Sequence, residues 1–255
     1  MFERRIGTIH TYVYHILRDI SSCDVKGKPL FRGEPNVKDT PLLPSLYREK
    51  PDGSEHDENF LIQEFRRMAP AIGVGLTPIR QETDLWLFLM QHVRLPTRLL
   101  DWTEGALIGL YFALQFNRPV VWMLNWAGLN RLSTGGKVPD KMSALTWYNH
   151  PGQINIGNAN IKAAWEEGIT PLAFPVAIKP TYIHPRMNAQ RSWFTAHGYE
   201  AKPITNLVPP TILKKYVIMP SRKEKMKRDL AMLGVTYSNL FPDMDGLALE
   251  LKEAD

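Results

Sequence analysis

The sequence predicts an α+β fold: one domain over residues 1–255, with a mixed, mainly antiparallel sheet flanked by helices. Three observations carry that expectation. Short runs rich in β-branched and aromatic residues, such as PVVWMLNW at 119–126, recur along the chain. Stretches of helical periodicity precede, interleave with and follow those runs, which is the α+β pattern rather than a strict βαβ alternation. The composition, 44% hydrophobic and 22% charged over 255 residues, is that of an ordinary globular domain with a sizeable core.

Taken in order, Ile9, Val13, Ile16, Leu17 and Ile20 recur at helical spacing after Gly7-Thr8, so the chain opens with an amphipathic helix capped by Thr8. PLFRGEP at 29–35 is a short apolar run bounded by prolines and reads as a strand that delivers Arg32 to its end. Residues 36–47 show little periodicity and read as a loop crossing the surface. ENFLIQEFRRM at 58–68 is helical, and ETDLWLFLMQHV is a second helix from about residue 82 until Pro96 forbids continuation. TRLLDW is a short strand, and Thr103-Glu104 starts a helix through GALIGLYFALQF. PVVWMLNW and FPVAIKP are strands; between them, residues 127–173 mix Gly, Asn, Ser and Pro around one helix near Ile161 to Glu167, and read as an insertion or mobile loop. Ser192 to Thr195 and ILKKYVIMP at 212–220 complete five or six strands. Ser221 to Glu224 forms a capping box before a helix that lasts until Gly234, and LFPDMDGLALELKE closes the chain with a short helix.

Charge and cysteine usage narrow the function classes. Lys plus Arg number 31 against 26 Asp plus Glu, a formal charge of +5 and a pI near 9.2, which favours a polyanionic partner only weakly. Cys23 is the only cysteine, so an intrachain disulfide and a thiolate zinc site are both excluded, and the reading is a cytoplasmic protein. No run approaches the ~20 apolar residues of a membrane-spanning helix, and the N-terminus lacks the continuous apolar stretch of a signal peptide. The sequence contains no P-loop, no GxGxxG after a strand, no HExxH, no cysteine cluster and no GxSxG elbow. No metal ligand set is expected.

What remains is a set of polar residues at strand ends: Arg32, the block from His92 to Asp101, and Gln190. An arginine at a strand end offers a planar fork suited to phosphate, so Arg32 is the first candidate for gripping a ligand; the alternative is an internal salt bridge, for example with Asp101. Asp101 sits among apolar neighbours and either orients Arg32 or Arg98 or acts as a base. His92 suits the last turn of its helix, where a donor or cation is welcome. Trp102 is read first as core. In HPRMNAQRSWFT, Arg186, Gln190 and Thr195 are candidates for one cleft; if Gln190 opens the strand, it shares a face with Ser192 and Phe194.

FRG at 31–33, LLPSLYR at 42–48, QHxxxPTRLLDWT at 91–103, the following ALIGLYFAL, RxxxQxxxFT at 186–195 and LFPDMDGLA at 240–248 together resemble the FRG-domain family. The motifs cover about residues 30 to 248. The resemblance implies a layout similar to that of ADP-ribosyltransferases, which hold NAD with an Arg or His on a first strand. They follow it with a second strand bearing Ser, Thr or Tyr and a helix, and place a Glu or Gln on a later strand. On that pattern Arg32 takes the first role, the Thr97 to Thr103 strand the second, and Gln190 the third, with Arg32, Asp101 and Gln190 as the catalytic set. Arg32, Tyr47, Thr97, Arg98, Trp102 and Thr103 then contact NAD, which is a substrate; Arg32 takes the pyrophosphate and Trp102 or Tyr47 stacks on nicotinamide. The family's members among bacterial toxins and phage-defence proteins imply a nucleic-acid target, RNA first, and an antitoxin or chaperone partner. One departure stands out: Gln190-Arg191-Ser192 offers no glutamate. Either Gln190 binds the ribose hydroxyl while Asp101 supplies the charge, or the chemistry is not NAD cleavage. Ser192 also stands where the family pattern has glycine.

Two further readings compete with the transferase: a non-catalytic nucleotide or nucleic-acid binding module, which the missing glutamate favours, and a metal-free nuclease using His92. A basic cluster from Lys214 to Arg228 attracts a nucleic-acid backbone in the first reading and is a solvated helix face in the plain one. The transferase requires Arg32, Asp101 and Gln190 to converge on one cavity.

Overall fold

A computed structural model describes residues 3–21, 28–36, 41–72, 83–133, 145–146, 174–180, 182–198 and 202–254. The expected insertion, with its helix near residue 161, lies mostly outside these, as does Cys23.

Eight strands among the described residues form one sheet: β1 (Glu3–Ile6), β2 (Leu30–Pro35), β3 (Leu99–Thr103), β4 (Pro119–Leu124), β5 (Leu145–Thr146), β6 (Val176–Lys179), β7 (Ser192–Ala196) and β8 (Leu213–Ile218), in the order β1-β8-β4-β2-β3-β7-β6-β5. The pairings β1–β8 and β5–β6 are parallel and the others antiparallel, so the sheet is mixed and mainly antiparallel as expected. The strand count exceeds the expected five or six. The two additional strands are the edges: ERRI carries three charges in four residues and LT is only two residues long, so neither shows an apolar alternation.

The helices are α1 (Ile9–Ser21), α2 (Glu58–Ile72), α3 (Thr83–His92), α4 (Ala106–Ala113), α5 (Trp126–Ser133), α6 (Pro185–Ala189), α7 (Ile204–Leu207), α8 (Lys223–Met232), α9 (Tyr237–Leu240) and α10 (Met244–Ala254). Thr8 caps α1, its Oγ1 accepting from the Thr11 N–H at 3.1 Å. Two expected helix starts differ. Gly105 caps α4, and the Thr103 hydroxyl accepts from the Gly105 N–H at 3.0 Å, one residue outside the helix. The capping box at Ser221 to Glu224 does not form; a 3-10 turn over Pro220–Arg222 runs directly into α8, because Pro220 presets the turn and leaves Ser221 inside it. Gly234 ends the α8 segment at φ +76°, a conformation that suits glycine.

The pleat divides the strand residues between two faces. On one face Leu30, Leu100, Trp102, Trp122 and Trp193 pack under α5 and α7 through Trp126, Leu129 and Ile204. On the other, Phe31, Val121 and Tyr216 pack under α1, α4 and α8, while Leu99, Phe194 and Ile178 pack under α3. These last two clusters are separate cores side by side, and the ground between them is where β2 meets β3.

The candidate anion cavity at the β2–β3 split

β2 pairs with β4 at six positions and β3 with β7 at five, but β2 and β3 are joined at one, Phe31 with Thr103. Beyond that pair the strands diverge, and Arg32 bridges the gap by donating from Nη1 to the Asp101 carbonyl at 2.8 Å. A guanidinium thus satisfies a carbonyl that the missing ladder leaves open. Arg32 Nε donates to Glu34 Oε1 at 2.8 Å, and Glu34 Oε2 accepts from the Leu42 N–H at 3.0 Å. Burial acts to lower the Arg32 pKa, but Glu34 and Asp101 together raise it above its ordinary value, so the residue stays charged.

Gly33 allows this arrangement. A Cβ there would lie 2.1 Å from the Ala113 nitrogen and 2.5 Å from the Gly109 oxygen, so β2 and α4 touch backbone to backbone. Gly109 makes the complementary approach, with Phe31 Cβ 2.8 Å from where its own Cβ would be.

A cavity of about 590 Å³ opens over the split, in the size range of small-molecule sites at ~300–1,000 Å³. The end of α4 forms one wall, the last turn of α3 another, and Arg186, Gln190 and Phe241 close the third. Arg32, Asp101, Gln190 and Thr103 all line it. Among the described residues Asp101 is the only acid in the lining; its side chain is 55% exposed, accepts from Gln91 Nε2 at 2.8 Å and lies 3.5 Å from Arg32 Nη1. Four arginines among the described residues line the same cavity: Arg32, Arg48, Arg94 and Arg186. Arg48 donates twice to the Leu43 carbonyl, and burial followed by the charge of Arg32 holds its pKa below the ordinary value. Two guanidiniums that repel each other at a cavity wall suit an anion between them.

The other expected contacts fall elsewhere. Trp102 borders the cavity, but its indole is buried in the core and donates to Thr195 Oγ1 at 3.0 Å, so its ring is the core element of the plain reading. Thr195 is on that same opposite face and fully buried, while Ser192 and Phe194 reach the cavity. Thr97 is buried, donates to Gln91 Oε1 and accepts from the Leu99 N–H. Arg98 is paired with Glu58, and the Tyr47 hydroxyl donates to the Gly198 carbonyl at 2.7 Å. None of these three lines the cavity. Gln190 lies at the C-terminal cap of α6 rather than on β7; its amide donates to the Leu240 carbonyl and its own carbonyl accepts from Thr103 Oγ1 at 2.7 Å. It holds the third wall in place.

His92 ends α3 as expected and lines the cavity, with its ring 4.0 Å from that of His184. Burial, then His184 and Arg186, push its pKa down to about 4, so it is neutral at physiological pH. Among the described residues no group of three or more His, Cys, Asp or Glu is placed to hold a metal, and no helix is long and apolar enough to cross a membrane.

Sequence reasoning did not single out Gln91, Arg48, Arg94 or Phe241. Gln91, Arg48 and Phe241 do lie inside the quoted blocks, and their polar or aromatic character within those blocks is the signal available.

Residues 27–120 match the FRG domain. The matched segment holds Arg32, Arg48, Gln91 and Asp101, together with the Gly33 contact to α4. The wall carrying Arg186, Gln190 and Phe241 comes from outside it. No curated protein and no solved structure matches the chain at a significant level.

Proposed function

We propose that the chain is an NAD-dependent ADP-ribosyltransferase that modifies nucleic acid, with RNA as the first expectation, in a toxin–antitoxin or phage-defence setting. One observation carries the reading: Arg32, Asp101 and Gln190 share a single cavity of cofactor size in which Asp101 is the only acid among the described residues. Arg32 and Arg48 hold the pyrophosphate of NAD as charge-assisted donors. As the bond between nicotinamide and ribose breaks, its electron pair leaves with the nicotinamide nitrogen and positive charge develops on the ribose. The Asp101 carboxylate stabilises that charge in the transition state. A nucleophile of the acceptor then bonds to the anomeric carbon and releases a proton. Gln91 fixes the Asp101 carboxylate, and Gln190 keeps the cavity wall in register.

A non-catalytic anion-binding module is the second reading. It is favoured by how fully the polar groups are already paired, since Asp101 accepts from Gln91 Nε2 and the Gln190 side-chain amide donates to the Leu240 carbonyl. Incubation with radiolabelled NAD and separate pools of RNA, single-stranded DNA and protein separates the two. The transferase predicts label on one pool, lost in Arg32→Ala and Asp101→Asn. Neither label nor released nicotinamide from folded protein supports the module instead.

A further inference from the structure

The four cavity arginines fall into two groups. Arg32 lies on β2 and Arg48 in the loop before α2, whereas Arg94 stands two residues beyond His92 and Arg186 two residues beyond His184. The second group sits where the end of α3 faces α6, an approach fixed by the His92 and His184 rings. There Arg186 Nη2 meets Asp243 at 2.7 Å and its guanidinium carbon lies 4.9 Å over the Phe241 ring, but its Nε is buried with no hydrogen-bond partner. A buried donor without a partner is an unmet demand for an acceptor. Arg94 is exposed at φ +66°, and among the described residues its side chain makes no hydrogen bond or ion pair. Phe116, 38% exposed, lines the same cavity and offers a flat apolar face.

We infer that Arg186 and Arg94 form a phosphate-binding subsite for a single-stranded nucleic acid, separate from the Arg32 end. The inference rests on the transferase reading for its role, which is to hold the acceptor while the other end holds the donor. A guanidinium pair recognises a phosphodiester, and an aromatic face lining the same cavity takes a base by stacking. An acidic peptide would use the arginines and leave Phe116 idle. The subsite is thus the acceptor half of a two-substrate cavity, and it holds one nucleotide unit by its backbone and its ring.

The test titrates a fluorescein-labelled single-stranded hexanucleotide, RNA and DNA in turn, into the full chain at several salt concentrations, with and without saturating NAD. Arg94→Asn keeps a residue that accepts positive φ, and Arg186→Lys keeps a charge opposite Asp243 while losing the fork. Each variant is expected to bind the oligonucleotide about tenfold more weakly. Arg94→Asn is expected to reduce the slope of log K against log salt by about 0.7. NAD is expected to leave oligonucleotide binding in place. The inference is overturned if folded variants bind like wild type, if NAD displaces the oligonucleotide one for one, or if a hexaglutamate peptide binds as tightly. Calorimetry of wild type with NAD alone tests the donor end separately, so its failure would count against the transferase reading while the oligonucleotide arm still decides this one.

Discussion

Gly33→Ala is the sharpest test of how the cavity is built. The added Cβ would lie 2.1 Å from the Ala113 nitrogen, about 1.3 Å inside the 3.4 Å at which ordinary contact begins, and 2.7 Å from the Phe112 carbonyl carbon. All three nearest atoms belong to the backbone of α4, so no side-chain rotation relieves the clash; the helix must move as a unit away from β2. Overpacking of this kind costs about 3 kcal/mol or somewhat more, which for a chain of this size lowers the melting temperature by roughly 6–12 °C. Thermal unfolding followed by circular dichroism measures it. Because Arg32 is the next residue and Phe112 lines the cavity, ligand affinity should fall with stability. Trimming a side chain, as in Phe112→Ala, should not rescue the variant. A Gly33→Ala protein melting within about 1 °C of wild type would refute the backbone-contact argument.

Two other outcomes follow from the surrounding charges. Glu34→Ala removes the acceptor of both Arg32 Nε and the Leu42 N–H; with Glu34 only 4% exposed, the loss should be about 3 kcal/mol in urea unfolding, and a change under about 1 kcal/mol would contradict it. His197 is buried with neither ring nitrogen hydrogen-bonded, and burial, then the charges of Arg32 and Arg98, push its pKa down to about 3. The unfolded chain takes up that proton near the ordinary value of 6.5, the folded chain only near 3. Stability should therefore fall as pH drops from 6.5 towards 3, at about 1.4 kcal/mol per unit. His197→Leu should remove that part of the slope and leave the part owed to His92; an unchanged slope would refute the assignment.

Legibility followed the strength of local pattern. β2, β3, β4 and β8 were readable because each is a compact β-branched or aromatic run between turn residues, and α3 because Pro96 marks its limit. Arg32 lies third of six residues in β2 rather than at the strand end expected, and the ion pair with Asp101, the alternative to a ligand-gripping role, forms at 3.5 Å. The edge strands were not, since a charged ERRI segment pairs only because the exposed side of β8 is there to receive it, a tertiary fact. Gln190 was expected on a strand, yet it caps a five-residue helix nucleated by Pro185 and by His184 Nδ1, which accepts from the Arg186 N–H. Its neighbours Ser192 and Phe194 nonetheless reach the cavity. The role of Trp102 turned on strand parity alone: Asp101 faces the cavity, so the next residue faces the core. The partners of Gln190 and Arg186 on the 240–243 segment join residues some fifty positions apart, which no local pattern encodes.

The single bridging pair between β2 and β3 makes the sheet two four-stranded plates sharing a seam. Among the described residues, the hydrogen bonds that cross the rest of the seam from β2 to β3 come from Arg32, the same side chain that lines the cavity. A ligand that recruits this guanidinium therefore also acts on the joint between the plates. Occupancy should be felt as a change in how tightly the halves are held together, and amide protons of β2 and β3 on either side of the seam are where that coupling would register.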